Sequence, residues 1–164
     1  ALSIIQNGPD SFAGRKVGVL VSPGADAALL KKLQAALEKE GAMMEIVAPR
    51  VGGVEAADGS WIEAKHMIDG GPSVLFDAVA LILSEEGAEH LTGEASARDF
   101  VADAFAHCKF MGLSPEAKPL LVNAGIAEDL DDGCLGLQSA DDAKAFVAAL
   151  GPLRFWDRES VKQD

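Results

Sequence analysis

The chain of 164 residues and 17.0 kDa is 49% hydrophobic and 24% charged, one domain's length with apolar content enough for a core, which excludes a disordered polypeptide. Fourteen Lys and Arg stand against 26 Asp and Glu, and the net charge of -12 weighs against nucleic acid and against anionic membrane surfaces as partners. No apolar run reaches the roughly 18 to 20 residues of a membrane-spanning helix.

Residues 1–15 hold one short apolar patch between turn-forming residues and read as a leader or linker running onto the domain. The run KVGVLV at 16–21, closed by Ser22, Pro23 and Gly24, has the pattern of a strand buried on both faces. Residues 26–40 place Leu30, Leu33 and Leu37 on one helical face, with Gly41 as the C-terminal cap. MMEIVA at 43–48 restores strand character, so this stretch reads as a β-α-β unit and predicts a parallel sheet. At 54–64, Asp58-Gly59 between two alternating segments predicts a small hairpin closed by a type I′ turn.

After the Gly70-Gly71-Pro72 break, AVALIL at 78–83 is the most apolar strand. It is followed by an acidic loop carrying Glu85, Glu86 and Glu89, at the sheet edge where ligands usually bind. Residues 95–108 are helical by spacing, with Phe100, Val101, Ala104, Phe105 and Cys108 on the apolar stripe. A strand at 110–113 leads into Ser114-Pro115, a helix start, and a very short helix then gives way to a strand at 120–122. Cys134 enters a further strand, and Ser139 with Asp142 forms a capping box for a last helix through Leu150, stopped by Gly151-Pro152.

Ser114 is the position with a nucleophile's geometry, because a strand running straight into a helix sets its side chain at the sheet's carboxyl edge beside backbone N–H groups. The flanks depart from G-x-S-x-G, and the Pro115 ring removes one N–H that an oxyanion hole would use, so helix capping is the alternative reading. Cys108 and Cys134 are the two thiols. Cys108 falls on an apolar helix stripe and Cys134 follows Asp129, Asp131 and Asp132, whose carboxylates would raise a thiol pKa; both read as packing residues. His107 adjoins Cys108, but neighbouring helix positions point about 100° apart and do not pair. His66, His90 and His107 lack metal-ligand spacing, no phosphate-loop glycine pattern occurs, and Glu85-Glu86 with Asp131-Asp132 read as a solvated rim. Tyrosine is absent, which removes from these residues any chemistry that needs a phenolate ligand or phenolic acid. The two cysteines form no CxxC pair, the first residues lack signal-peptide regions, and the expected compartment is the reducing cytoplasm. Position 1 is Ala rather than Met, from which a processed chain or a piece of a longer one is expected.

The segments ALSIIQNGPDSFAGRKVGVLVS, VGGVEAADGSWIEA, GGPSVLFDAVALIL, SADDAKAFVAAL and RFWDR, in this order, resemble the C-terminal domain of large-subunit monofunctional haem catalases. That domain belongs to the class I glutamine amidotransferase-like superfamily. The resemblance implies a three-layer, flavodoxin-like α/β fold with a mainly parallel sheet and a small β-hairpin excursion. It also implies a parent polypeptide that dismutates hydrogen peroxide with haem held in a separate core, N-terminal to this chain. Such cores use a tyrosine ligand and a distal His with Asn, and none of these is carried over to residues here. The superfamily's hydrolases and chaperones place a cysteine at the strand-to-helix elbow; the matching position resembles Ser114 or its neighbour Leu113. Their orienting glutamate matches the loop of Gly24, Ala25 and Asp26, where Asp26 is one methylene shorter.

The resulting expectation is a leader at 1–15, a domain at 16–156 and a tail at 157–164. Its role would be a non-catalytic accessory domain that stabilises a catalase core and its homotetramer, with chaperone-like activity a further possibility. No cofactor or metal is expected in the chain itself, haem being implied for the parent core. The alternative is a stand-alone intracellular protease or amidase with Ser114 as nucleophile and His90 or His107 as base, Cys108 being the remaining candidate. A small-molecule binding module is a third reading.

Overall fold

In the computed structural model, residues 11–162 are described, with side chains described as far as residue 159. Eight strands are present: β1 (Lys16–Val21), β2 (Met43–Ala48), β3 (Gly53–Glu55), β4 (Trp61–Glu63), β5 (His66–Met67), β6 (Ala78–Ile82), β7 (Met111–Leu113) and β8 (Cys134–Gly136). The helices are α1 (Ala27–Lys39), α2 (Glu85–Leu91), α3 (Ala95–Ala106), α4 (Lys118–Asn123), α5 (Ala140–Ala149) and α6 (Asp157–Lys162). Six strands form one parallel sheet in the order β5-β2-β1-β6-β7-β8, while β3 and β4 pair antiparallel as a separate hairpin. Without the two-residue edge strand β5, the order is that of a flavodoxin-like sheet, with its topological switch between β1 and β6.

Alternation along the strands builds three layers. Val17, Val19 and Val21 of β1, with Ala78, Ala80 and Ile82 of β6, face a core shared with α1 and α5. Leu20, Val79 and Leu81 point to the other face, where Phe76, Phe100 and Leu120 join α2, α3 and α4. Gly18 has no side chain because the Phe76 ring covers the strand at that point. Asp26 caps α1 by accepting the Leu29 N–H at 3.0 Å, and Gly41 with φ +78° closes it, as its composition predicts.

Four local expectations are corrected. The hairpin loop is not type I′: the Gly59 N–H donates to Ala56 O, the Ala56 N–H donates to Ser60 O, and only Gly59 of the loop has positive φ, a three-residue loop ending in a glycine bulge. The acidic stretch at Glu85, Glu86 and Glu89 is helix α2, capped by Ser84, rather than a loop. The apolar run 120–122 is helix α4 rather than a strand, because Leu120 and Leu121 pack between α2 and α3 and a short apolar run carries no period of its own. Finally, α3 stops at Ala106, so Cys108 is not on its stripe. Cys108 has φ +60° and occupies the left-handed position of a Schellman motif, its N–H donating to Phe105 O and that of Lys109 to Ala104 O.

The reading of 1–15 as a leader falls outside the described residues as far as residue 10; Phe12, just beyond, is buried in the core. The residues read as a tail from 157 onward form α6, and Arg158 within it is 3% exposed.

Candidate functional site

The parallel strands direct their carboxyl ends to one edge, and Ser22, Ser84 and Ser114 stand there at the ends of β1, β6 and β7. Ser114 holds its backbone extended (φ -67°, ψ 150°) and its N–H donates to Leu81 O at 2.9 Å, continuing the ladder. Its hydroxyl does not cap the following 3-10 turn at 115–117, which corrects the capping alternative. Ser114 Oγ instead accepts the Leu83 N–H at 3.1 Å across the strands, and the residue is 5% exposed. Ser22 Oγ accepts the Ser84 N–H at 3.0 Å. Ser84 Oγ accepts the Gly87 N–H at 3.0 Å and donates to Pro23 O at 2.6 Å. Gly87 is required here, because a Cβ at this position of α2 would collide with the Ser22 side chain.

The consequence is chemical. An elbow that stabilises an oxyanion needs backbone N–H groups aimed at the reacting atom. At this edge the N–H groups of Leu83, Ser84 and Gly87 are engaged by the chain's own hydroxyls.

The cleft of about 380 Å³ above Ser114 is lined by Asp26, Glu85, Glu116 and Gln138, among others. Among the described residues it holds carboxylates and no imidazole. Asp26 is already engaged at the Leu29 N–H. His90 lies in a neighbouring cleft of about 310 Å³ with Ser22, Arg50, Glu86 and Glu94. His107 and Cys108 precede β7 whereas Ser114 follows it, so they sit at the opposite, amino edge of the sheet. The structure therefore keeps both His90 and His107 out of the Ser114 cleft, and places His107 and Cys108 just past the end of α3. Among the described residues no group of three or more His, Cys, Asp or Glu is placed to hold a metal. The carboxyl-edge clefts also do not fit haem, since a flat apolar macrocycle needs apolar walls and these openings carry Asp26, Glu85, Glu86 and Glu116.

Cys134 is pushed up to about 11, chiefly by burial, so it is a thiol at neutral pH and not a nucleophile. Beside it Arg158 binds Asp131 through two nitrogens at 2.6 and 2.9 Å and donates to Phe105 O and Lys109 O. Two charged clusters escaped the sequence reading. Glu45 is buried on β2 and held by His66 at 2.8 Å, Lys65 at 3.0 Å and Lys16 at 3.2 Å. Lys109, 3% exposed, donates to Ser73 O at 2.6 Å. Glu45 leaves no sequence signal beyond one charge in an apolar run, and Lys109 none beyond a cation just ahead of a strand.

A family model described as the C-terminal domain found in long catalases matches residues 13–160. The chain is 58% identical over 163 residues to Catalase C of Rhizobium meliloti (strain 1021), an alignment covering 99% of this chain and 23% of that protein. It is 33% identical over 159 residues to Catalase HPII of Pseudomonas putida, covering 95% and 21% respectively. The chain thus spans less than a quarter of the length of these relatives. Among solved structures, oxidized DJ-1 of Toxoplasma gondii aligns with a TM-score of 0.70 at 14% identity, over 90% of this chain and 95% of that one, a likeness of fold alone.

Proposed function

The chain belongs to the family of C-terminal domains found in long catalases, and from that premise we propose that it is a non-catalytic accessory domain of a haem catalase polypeptide. Hydrogen peroxide dismutation and its haem reside in the core ahead of this domain. The domain stabilises that core and its homotetramer in the cytoplasm. Haem, when bound in the core, supplies the redox chemistry, and no residue of this chain takes part in it.

The observation that carries this reading is the self-satisfied carboxyl edge. Ser114 stands at the end of β7, yet its hydroxyl is buried and accepts the Leu83 N–H, and Pro115 beside it has no N–H to offer an oxyanion. A nucleophilic serine requires a base within about 3 Å of its hydroxyl; the cleft above Ser114 offers carboxylates on solvated loops and helix termini instead.

Exposure of the purified chain to a fluorophosphonate probe and to ester and peptide substrates tests the reading. The expected result is no labelling and no turnover above a heat-denatured control. Labelling that is lost in Ser114→Ala would overturn the proposal in favour of a hydrolase.

A further inference from the structure

The amino edge of the sheet leaves several apolar side chains uncovered, as the hairpin side does at Val51 and Trp61. Met43 is the first residue of β2 and is 47% exposed. Val74 (69%) and Leu75 (46%) form the 3-10 turn directly ahead of β6. Trp156 (45%) follows Phe155, whose N–H donates to Cys108 O at 2.7 Å and whose ring meets Phe110 at 5.9 Å, just ahead of β7. These four side chains lie along the starting ends of β2, β1, β6 and β7, three strand spacings or about 14 Å.

The backbone arrives at the same edge. Gly14 N–H donates to Gly41 O, and Arg15 O accepts the Met43 N–H before β1 begins. Residues 14 and 15 thus run beside Met43. Cations frame it: Arg15 is exposed, Lys16 is partly exposed, and Arg154 donates to Asp77 O at 2.9 Å. Burial foremost, with Arg15 a lesser contributor and Asp77 opposing, pushes Arg154 below its ordinary pKa, a cost that a further facing carboxylate relieves.

We propose that this amino edge is the face on which the domain docks against the polypeptide that precedes it in a long catalase, and that the facing surface is apolar and carries carboxylates. The proposal rests on the accessory-domain reading and deepens it by naming the face. A family match that occupies less than a quarter of its relatives' length leaves a core of several hundred residues upstream as the occupant. A second copy fits less well, because it brings the same cations and another net charge of -12 to the contact.

Hydrogen–deuterium exchange tests this on the 164-residue chain alone and on the same chain at the C-terminus of a long catalase polypeptide. Amides at 41–43, 73–77 and 153–156 are expected to exchange at least tenfold more slowly in the long polypeptide, while 53–63 and 114–117 stay unchanged. The double variant Val74→Glu, Leu75→Glu is expected to return the edge to its free rate, with the melting temperature of the isolated chain unmoved, as both positions are exposed. Protection confined to the hairpin or the carboxyl edge would overturn the docking face and leave the accessory role standing. Protection nowhere would overturn both. Edge protection in the isolated chain that rises with its concentration, with a dimer in sedimentation, would assign the face to a second copy and would also overturn it.

Discussion

Lys109 is the residue whose energetics the sequence conceals, and replacing it by methionine is the sharpest test of the core. Its ammonium is buried and makes a hydrogen bond of 2.6 Å to Ser73 O, a carbonyl that also accepts the Phe76 N–H at 3.0 Å. Burial first, and Arg154 second, push its pKa down from 10.5 to about 8 against the opposing pull of Asp77 and Asp103. At about 1.36 kcal/mol per pH unit, that gap makes the charged lysine a cost of about 3 kcal/mol to the folded state near neutrality. The folded pKa lies below the unfolded one, so the cost is fully present below pH 8. It is relieved as pH rises from 8 to 10.5, and stability climbs over that window because the unfolded chain then holds more protons than the native one.

Lys109→Met keeps the length of the stem and its apolar contacts, and it leaves Ser73 O with its backbone partner. Urea denaturation of the two proteins at intervals from pH 7 to 10.5 measures the difference directly, since other titrating groups contribute almost equally to both. The variant's advantage over the parent is expected to shrink by about 3 kcal/mol across this range. At neutral pH the variant is the more stable protein by about 1 kcal/mol or more, once loss of the charged hydrogen bond is set against relief of desolvation. Stability curves that run parallel from pH 7 to 10.5 would refute the reasoning, because they would mean that the ammonium is solvated in the native protein.

Glu45 gives the opposite pH signature. His66 foremost, then Lys65 and Lys16, hold its carboxyl at about 2 against burial, so its contribution is complete above pH 4.5 and is lost as pH falls toward 2. With Lys65 and Lys16 largely solvated, Glu45→Gln is expected to flatten acid denaturation by about 1 to 2 kcal/mol in a pH-resolved melt. Ser114→Ala orphans the buried Leu83 N–H and is expected to cost about 1 to 3 kcal/mol in denaturant titration, a structural loss and not a catalytic one. Gly87→Ala forces a Cβ into Ser22, and calorimetry is expected to record a loss of about 2 kcal/mol or more. Arg158→Met leaves Asp131 without its guanidinium and is expected to destabilise by about 3 kcal/mol in the same measurement.

What the sequence made legible was whatever a single period or a single cap decides. KVGVLV and AVALIL are buried on both faces and cannot belong to anything but the centre of a parallel sheet, and β1 and β6 are its two central strands. Gly41 and Ser139 announce their helix ends by side-chain and backbone chemistry that acts within a few residues. The misreadings lie where distant packing decides. Leu120 and Leu121 became helical because α2 and α3 cover them, and Cys108 fills a left-handed position where glycine would have signalled the stop. Ser114 was located correctly at the end of its strand, but the direction of its hydroxyl depends on Leu83, 31 residues away, and no local pattern encodes that bond. The same holds for Glu45 with His66 and for Lys109 with Ser73, pairs brought together by sheet order alone.

The two ends of the sheet account together for how a ligand-binding architecture becomes an attachment. Parallel strands concentrate loops and helix N-termini at their carboxyl ends, and that is where relatives of a doubly wound fold hold ligands. In this chain, three hydroxyls bond the N–H groups of Leu83, Ser84 and Gly87 within the protein itself. Stability gained there is independent of any ligand, as the proposed accessory role requires. The amino end exposes Val74, Leu75 and Trp156. Apolar exposure is a liability in a monomer and an asset at a contact whose partner is tethered, because tethering raises the effective concentration to the millimolar range and lets a modest interface stay closed. If the proposed docking holds, excess isolated domain is expected to compete poorly with the tethered one.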